Sequence, residues 1–105
     1  MHRILVIITL LVLPVAMFGA DAKAGQPIYD RACKSCHGAD GTPNASLAKM
    51  LKVEIPDLKS SGVQGESDAA LKGVVTDGKG KMKPVKNVSA AEADEVVAYV
   101  RSLKK

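Results

Sequence analysis

A small all-α domain is the fold class that the 105-residue sequence predicts. Four segments carry apolar residues at the three- and four-residue spacing of amphipathic helices. No segment alternates apolar and polar residues as a half-buried strand does, and the length suits a single domain. We therefore expect about four helices wrapped around one core.

The first helical pattern lies in "GQPIYDRACKSC", residues 25–36. Gly25 can occupy the N-cap, and Pro27 is favoured in a first helical turn. Gly38, Gly41 and Pro43 mark the end of the pattern. Its apolar face would consist of Ile28, Tyr29, Ala32, Cys33 and Cys36.

Two shorter helices are predicted in "NASLAKMLK" and "SDAALKGVVTDG", residues 44–52 and 67–78. Ser67 suits the N-cap of the second of these, and Gly78 suits its end. The stretch between them, residues 53–66, is predicted to be a loop. The expected buried residues are Leu47, Met50 and Leu51 in one helix and Leu71, Val74 and Val75 in the other.

The last helix is predicted in "SAAEADEVVAYVRSLKK", where Ser89 and Glu92 form a capping-box pattern. Basic residues at its end suit the helix dipole. Its expected buried face contains Ala93, Val96, Val97, Val100 and Leu103. The preceding "GKGKMKPVKN", residues 78–87, is rich in glycine and lysine and should not be helical.

The N-terminus has the three parts of a secretory signal peptide. Basic residues precede an apolar run over residues 4–18, and small-x-small patterns then end at Ala22 and Ala24. The run is shorter than the roughly 20 residues that a membrane-spanning helix needs. We expect residues 1–22 to be a signal, with cleavage after Ala22 or Ala24, and residues 23–105 to form one exported, periplasmic domain. An uncleaved inner-membrane anchor is the alternative.

Composition limits what the exported domain can be. After removal of the signal it has no tryptophan or phenylalanine and two tyrosines, so its large apolar side chains are nearly all aliphatic. Domains of this size usually need something besides their own core for stability. The net charge of +4 comes without a long basic run or many aromatic residues, which disfavours nucleic-acid binding.

The pair of cysteines in "CKSCH" allows three chemistries: a zinc site, a thiol redox pair or a haem anchor. Zinc needs four ligands, and Cys33, Cys36 and the adjacent His37 lack a fourth soft partner. A redox pair favours a helix N-terminus within a βαβ unit, which the sequence does not predict. C-x-x-C-H is the attachment signal for a c-type haem, which would also complete a small core.

A haem iron held by His37 has a second axial position, and two methionines remain for it. Met50 lies in an amphipathic helical pattern, which is explained by core packing. Met82 lies in a polar loop and has no such explanation, so we expect it to be the ligand. The alternatives are Met50 and an iron that is open or bound by a lysine. Methionine there raises the reduction potential and leaves no site for a substrate.

Taken together, "AGQPIYDRACKSCHGADG", "DGKGKMKPV" and "VSAAEADEVVAYVRSLKK" resemble a small bacterial class I monohaem cytochrome c. The resemblance implies that the terminal helices cross near Gly25 and pack Tyr29, Tyr99 and Val100. The family's Met-Pro is Met82-Lys83-Pro84 here. Its proline after the haem motif matches Pro56, with Leu58 against the porphyrin, or else Pro43. The carbonyl of that proline would orient His37.

The expected function is single-electron transfer, with one haem c attached through Cys33 and Cys36 and its iron bound by His37 and Met82. The expected partners are acidic redox proteins that dock on a basic surface, the chain itself being a monomer and not an enzyme. Two alternatives stay open: a haem enzyme or gas sensor with an open iron position, and an electron-entry module of a larger oxidoreductase. The lysines expected at the docking surface are Lys79, Lys81, Lys83 and Lys86.

Overall fold

The structure, a computed structural model, describes residues 20–104 and confirms the all-α class. Within this range the only extended pairing is a single bridge between Lys79 and Met82. No helix in this range is long and apolar enough to cross a membrane. The helices are α1 Ala22–Ala32, α2 Lys34–His37, α3 Ala45–Leu51, α4 Ser61–Gln64, α5 Asp68–Asp77 and α6 Ala90–Ser102.

Helix α1 begins earlier than the sequence pattern indicates. Asp21 is its N-cap and accepts a 2.9 Å hydrogen bond from the backbone of Lys23. The expectation that Gly25 caps the helix is therefore wrong, because the Asp21 carboxylate satisfies the free amide instead. The predicted signal, residues 1–22, lies outside the described residues except for its last three positions, of which Asp21 caps α1 and Ala22 begins it.

Helices α1 and α6 cross in close contact, as the family resemblance implies. Gly25 is buried in α1, and a Cβ placed on it would lie 2.0 Å from the carbonyl oxygen of Glu95 in α6. The rings of Tyr29 and Tyr99 meet beside this point, with centroids 5.0 Å apart. Glycine is thus required because the backbone of α6 occupies the space of a side chain.

The core lies mainly between these two helices and α5. Its buried residues are Ile28, Tyr29, Cys33, Leu58, Val75, Ala93, Val96 and Val100. The predicted capping box of α6 is present, with Ser89 and Glu92 each bonded to the backbone of the other. The buried face predicted for α6 is confirmed for Ala93, Val96, Val97 and Val100.

Helix α3 differs from its prediction in what it buries. Its N-cap is Asn44, and of its predicted buried residues Met50 is 70% exposed and Leu51 is 39% exposed. The expectation that Met50 packs in the core is wrong. Leu47 and Ala48 are half-buried while Lys49 and Met50 are exposed, so this short helix turns Met50 outward.

The predicted loop over residues 53–66 contains one helical turn, α4. Ser60 is its N-cap and its hydroxyl accepts a hydrogen bond from the amide of Val63. The sequence pattern missed α4 because a single turn is too short to show a helical period. The Gln64 amide at its end donates to the carbonyls of Leu58 and Val100, at 2.8 and 2.9 Å, and so holds α4 against α6.

Candidate functional site

A cavity of about 580 Å³ opens between α1, α5, α6 and the loops that follow α3 and α5. Its wall is largely apolar, and its members lie between Tyr29 and Val100 in the chain. The volume of the cavity is within the range found for binding sites of small molecules and cofactors. The aliphatic residues of the wall are Leu51, Val53, Ile55, Leu58, Val63, Leu71, Val74, Val75, Val96, Val97 and Val100.

All four residues predicted to hold a haem lie on this one wall. Cys33, Cys36 and His37 come from the junction of α1 and α2, and Met82 comes from the loop after α5. The other methionine of the described chain, Met50, is absent from the wall. The site therefore brings together two thiols, an imidazole and a thioether around an apolar space.

The break between α1 and α2 sets the directions of the first three side chains. The amide of Cys33 donates to the carbonyl of Tyr29 at 2.8 Å, and the amide of His37 donates to that of Cys33 at 3.0 Å. Gly38 then ends α2 with a φ of 76°, which glycine adopts without strain. These contacts place Cys33, Cys36 and His37 within about one helical turn of one another.

A tight turn presents Met82. The backbones of Lys79 and Met82 exchange two hydrogen bonds, of 2.8 and 2.9 Å, across Gly80. The amide of Val85 donates to the carbonyl of Val75 at 2.9 Å and ties the loop back to α5. Gly78 and Gly80 both have positive φ, which explains the glycines in this segment. The prediction that residues 78–87 are not helical is confirmed.

Burial controls the protonation of the site. Desolvation raises the pKa of the Cys33 thiol to about 11, and both cysteines are free thiols. This is the opposite of the lowered pKa that makes a thiol pair redox-reactive. Desolvation lowers the pKa of His37, which keeps its imidazole neutral, the form that binds a metal.

The hydrogen bond predicted for the second ring nitrogen of His37 differs from what the structure shows. Its Nδ1 is buried, and no described residue hydrogen-bonds it, so the expected contact from the carbonyl of Pro56 or Pro43 is wrong for this structure. Other hydrogen bonds position the segments that follow the two prolines. The amide of Leu58 donates to the carbonyl of Gly41 at 3.0 Å, and the amide of Asn44 donates to the carbonyl of Cys36 at 2.9 Å. Pro56 and Leu58 do lie on the cavity wall.

The zinc alternative has no ligand set among the described residues. Across residues 20–104 no three side chains of His, Cys, Asp or Glu come together as a metal-binding group. A closed zinc site needs four such ligands. The donors that do share the cavity suit a covalently attached haem: two thiols for attachment, and a neutral imidazole and a thioether as axial ligands.

Sequence reasoning missed part of the wall. Val53, Ile55 and Val63 lie in the segment that was predicted as a plain loop, yet they line the cavity. The alternation of "VEIP" was the available signal, but it is too short to indicate burial by itself. The carboxylates of Glu54 and Glu66 also border the cavity, opposite in sign to Lys79 and Lys81.

The chain is similar to known proteins in its family and its fold. Residues 20–100 match a protein family described as cytochrome c oxidase, cbb3-type, subunit III. Among solved structures, the KustC0563 c-type cytochrome is similar, with 30% sequence identity and a TM-score of 0.66. The alignment covers 77% of this chain and 98% of that one. No curated protein sequence matches the chain. The chain therefore belongs to this family of c-type cytochromes, whose members carry a covalently bound haem c.

Proposed function

We propose that this protein carries single electrons through one haem c, attached through Cys33 and Cys36 and bound at the iron by His37 and Met82. The observation that carries the proposal is that these four side chains line one largely apolar cavity. When bound, the haem would supply an iron that alternates between its ferrous and ferric states.

The residues of the chain have distinct tasks in this proposal. Cys33 and Cys36 would attach the cofactor, and the neutral imidazole of His37 and the thioether of Met82 would bind its iron. With both positions filled, no substrate is bound at the metal. The aliphatic wall excludes water, which limits the reorganisation of solvent when the charge on the iron changes.

The lysines of residues 78–87 would form a docking surface for an acidic redox partner. Lys79, Lys81, Lys83 and Lys86 are all exposed, and Lys79 and Lys81 border the cavity. Basic residues at such a surface would accelerate encounter with an acidic partner in a salt-dependent way.

Export to the periplasm, as a monomer, belongs to the same proposal. The support is the signal pattern of residues 1–22. Cleavage after Ala22 or Ala24 would remove Asp21 and with it the N-cap of α1.

Mass spectrometry of the exported protein tests attachment, and a visible spectrum tests ligation. We expect the mass of the chain from Lys23 or Gly25 plus one haem, and a low-spin spectrum that carbon monoxide does not change in the reduced protein. A chain without haem would contradict the attachment. A high-spin spectrum, or ready binding of carbon monoxide, would instead favour a haem enzyme or gas sensor.

A second candidate function is an electron-entry module of a larger oxidoreductase. The observation in its favour is that the matching family is described as a subunit of an oxidase. Affinity purification of the tagged protein from its native membrane and soluble fractions would distinguish the two. A stable stoichiometric complex with other oxidoreductase subunits supports the module, and recovery as a free monomer supports the carrier.

A further inference from the structure

One side chain joins the loop that carries Met82 to the C-terminal end of α3. The ammonium of Lys81 donates a 2.7 Å hydrogen bond to the carbonyl oxygen of Leu51, 30 positions earlier in the chain. Lys81 and Leu51 both lie on the cavity wall. The bond therefore crosses from the loop to the end of α3.

The acceptor is a carbonyl that helix geometry leaves free. Leu51 is the last residue of α3, and the last carbonyls of a helix have no intrahelical donor. The amides of Lys52 and Val53 donate to Ala48 and Lys49 instead. The partial negative charge at a helix C-terminus favours a cationic donor at this place.

No other hydrogen bond described for residues 78–85 of the loop reaches α3. Its described backbone hydrogen bonds join Lys79 to Met82, Gly78 to Val74 and Val85 to Val75, all within the loop or to its own helix α5. At the tip, a Cβ on Gly80 would meet no atom within 4 Å. The loop is thus held on the side of α5, while its tip depends on Lys81.

We propose that Lys81 is a positioning residue that holds the Met82 loop closed against α3. The inference rests on the proposed function in taking Met82 as an iron ligand. The lysines at 79 and 83 make no side-chain hydrogen bond or ion pair among the described residues, so the role belongs to Lys81 and not to the lysine cluster as a whole.

The test compares three variants of the haem-loaded, exported protein, two of which lose one positive charge and one of which keeps it. Lys81→Leu removes the donor, Lys81→Arg keeps one, and Lys83→Leu removes the same charge from a neighbouring lysine. Hydrogen–deuterium exchange reports opening of residues 78–85, and carbon monoxide uptake by the reduced protein reports access to the iron.

Loss of the hydrogen bond to Leu51 in Lys81→Leu should raise the rate of hydrogen–deuterium exchange and the rate of carbon monoxide uptake about three- to tenfold. Lys81→Arg and Lys83→Leu should stay within about twofold of the unmodified protein. Equal exchange in Lys81→Leu and Lys83→Leu would overturn the inference, and so would faster exchange without faster uptake of carbon monoxide.

Met82→Ala separates this inference from the proposed function. It should open the iron to carbon monoxide whether or not Lys81 is present. If it does not, Met82 is not the ligand and the proposed ligation fails, while the comparison of exchange rates still decides whether Lys81 holds the loop.

Discussion

The hydroxyl of Tyr29 donates a 2.6 Å hydrogen bond to the carbonyl oxygen of Gly38, the residue that follows His37. Tyr29 is completely buried and lies on the cavity wall. Burial raises the pKa of its hydroxyl above the usual range, so the group stays a donor. One side chain of α1 thus ties down the segment that presents the imidazole.

Tyr29→Phe should lower the free energy of unfolding of the haem-loaded protein by about 1–2 kcal/mol, because the Gly38 carbonyl loses a part-buried donor. Denaturant unfolding measures the change. Tyr99→Phe is the matched control, since no described residue bonds the Tyr99 hydroxyl while its ring packs in the same pair. An equal loss in the two variants would mean that the hydrogen bond has no special role.

Gly25→Ala should destabilise the fold by at least about 2 kcal/mol, because its Cβ would lie 2.0 Å from the Glu95 carbonyl and the helices would have to separate. Gly73→Ala is the control. A Cβ at Gly73, inside α5, meets nothing within 4 Å, so alanine should stabilise the helix by about 0.5–1 kcal/mol. Thermal unfolding of the two variants should shift in opposite directions.

Met82→Ala should abolish the low-spin spectrum expected of methionine ligation and lower the reduction potential, because methionine raises it. Met50→Leu should leave the spectrum and potential unchanged, since Met50 is 70% exposed and lies off the cavity wall. Visible spectroscopy with redox titration checks both variants. The reverse result would assign the ligand to Met50.

Cys36→Ser should leave haem poorly attached and the chain poorly folded, because the cofactor completes a core that is otherwise a cavity of about 580 Å³. Mass spectrometry measures attachment, and far-ultraviolet circular dichroism measures folding. A well-folded Cys36→Ser protein without haem would show that the aliphatic shell is stable alone.

Acid should weaken the start of α6 through Glu92. Hydrogen bonds from Ser89, with a contribution from Arg31, hold the pKa of this carboxyl below its usual value of 4.5. The stabilisation is therefore complete above that value and is lost as the pH falls through the lowered pKa. Glu92→Gln keeps the capping pattern but cannot titrate, so its stability should fall less between about pH 6 and about pH 3.

Local signals in the sequence were enough for most helix ends. Ser67 and Ser89 each cap the helix that they were predicted to cap, because a side-chain oxygen satisfies an amide three residues away. The buried face of α6 was also predictable, since the apolar residues at helical spacing in this segment are the ones that are buried. Asp21 was missed as a cap because it lies within the predicted signal, and Ser60 was missed because it precedes a single helical turn.

Met50 shows where local pattern failed. It has the helical spacing of a core residue, but exposure depends on which neighbours pack against α3, and that is not a local property. Conversely, Val53 and Ile55 were read as loop residues, although they line the cavity.

By itself the sequence determined the all-α class, the identity of the candidate ligands and the motif that suits a haem, because these depend on residue type and short spacing. Only the tertiary structure decided that Met82 and not Met50 shares the cavity with Cys33, Cys36 and His37. It also decided that Lys81 reaches Leu51, and that Nδ1 of His37 has no partner among the described residues. These are relations between segments far apart in the chain, and they exist only once α1 and α6 have crossed and the loops are closed around the cavity.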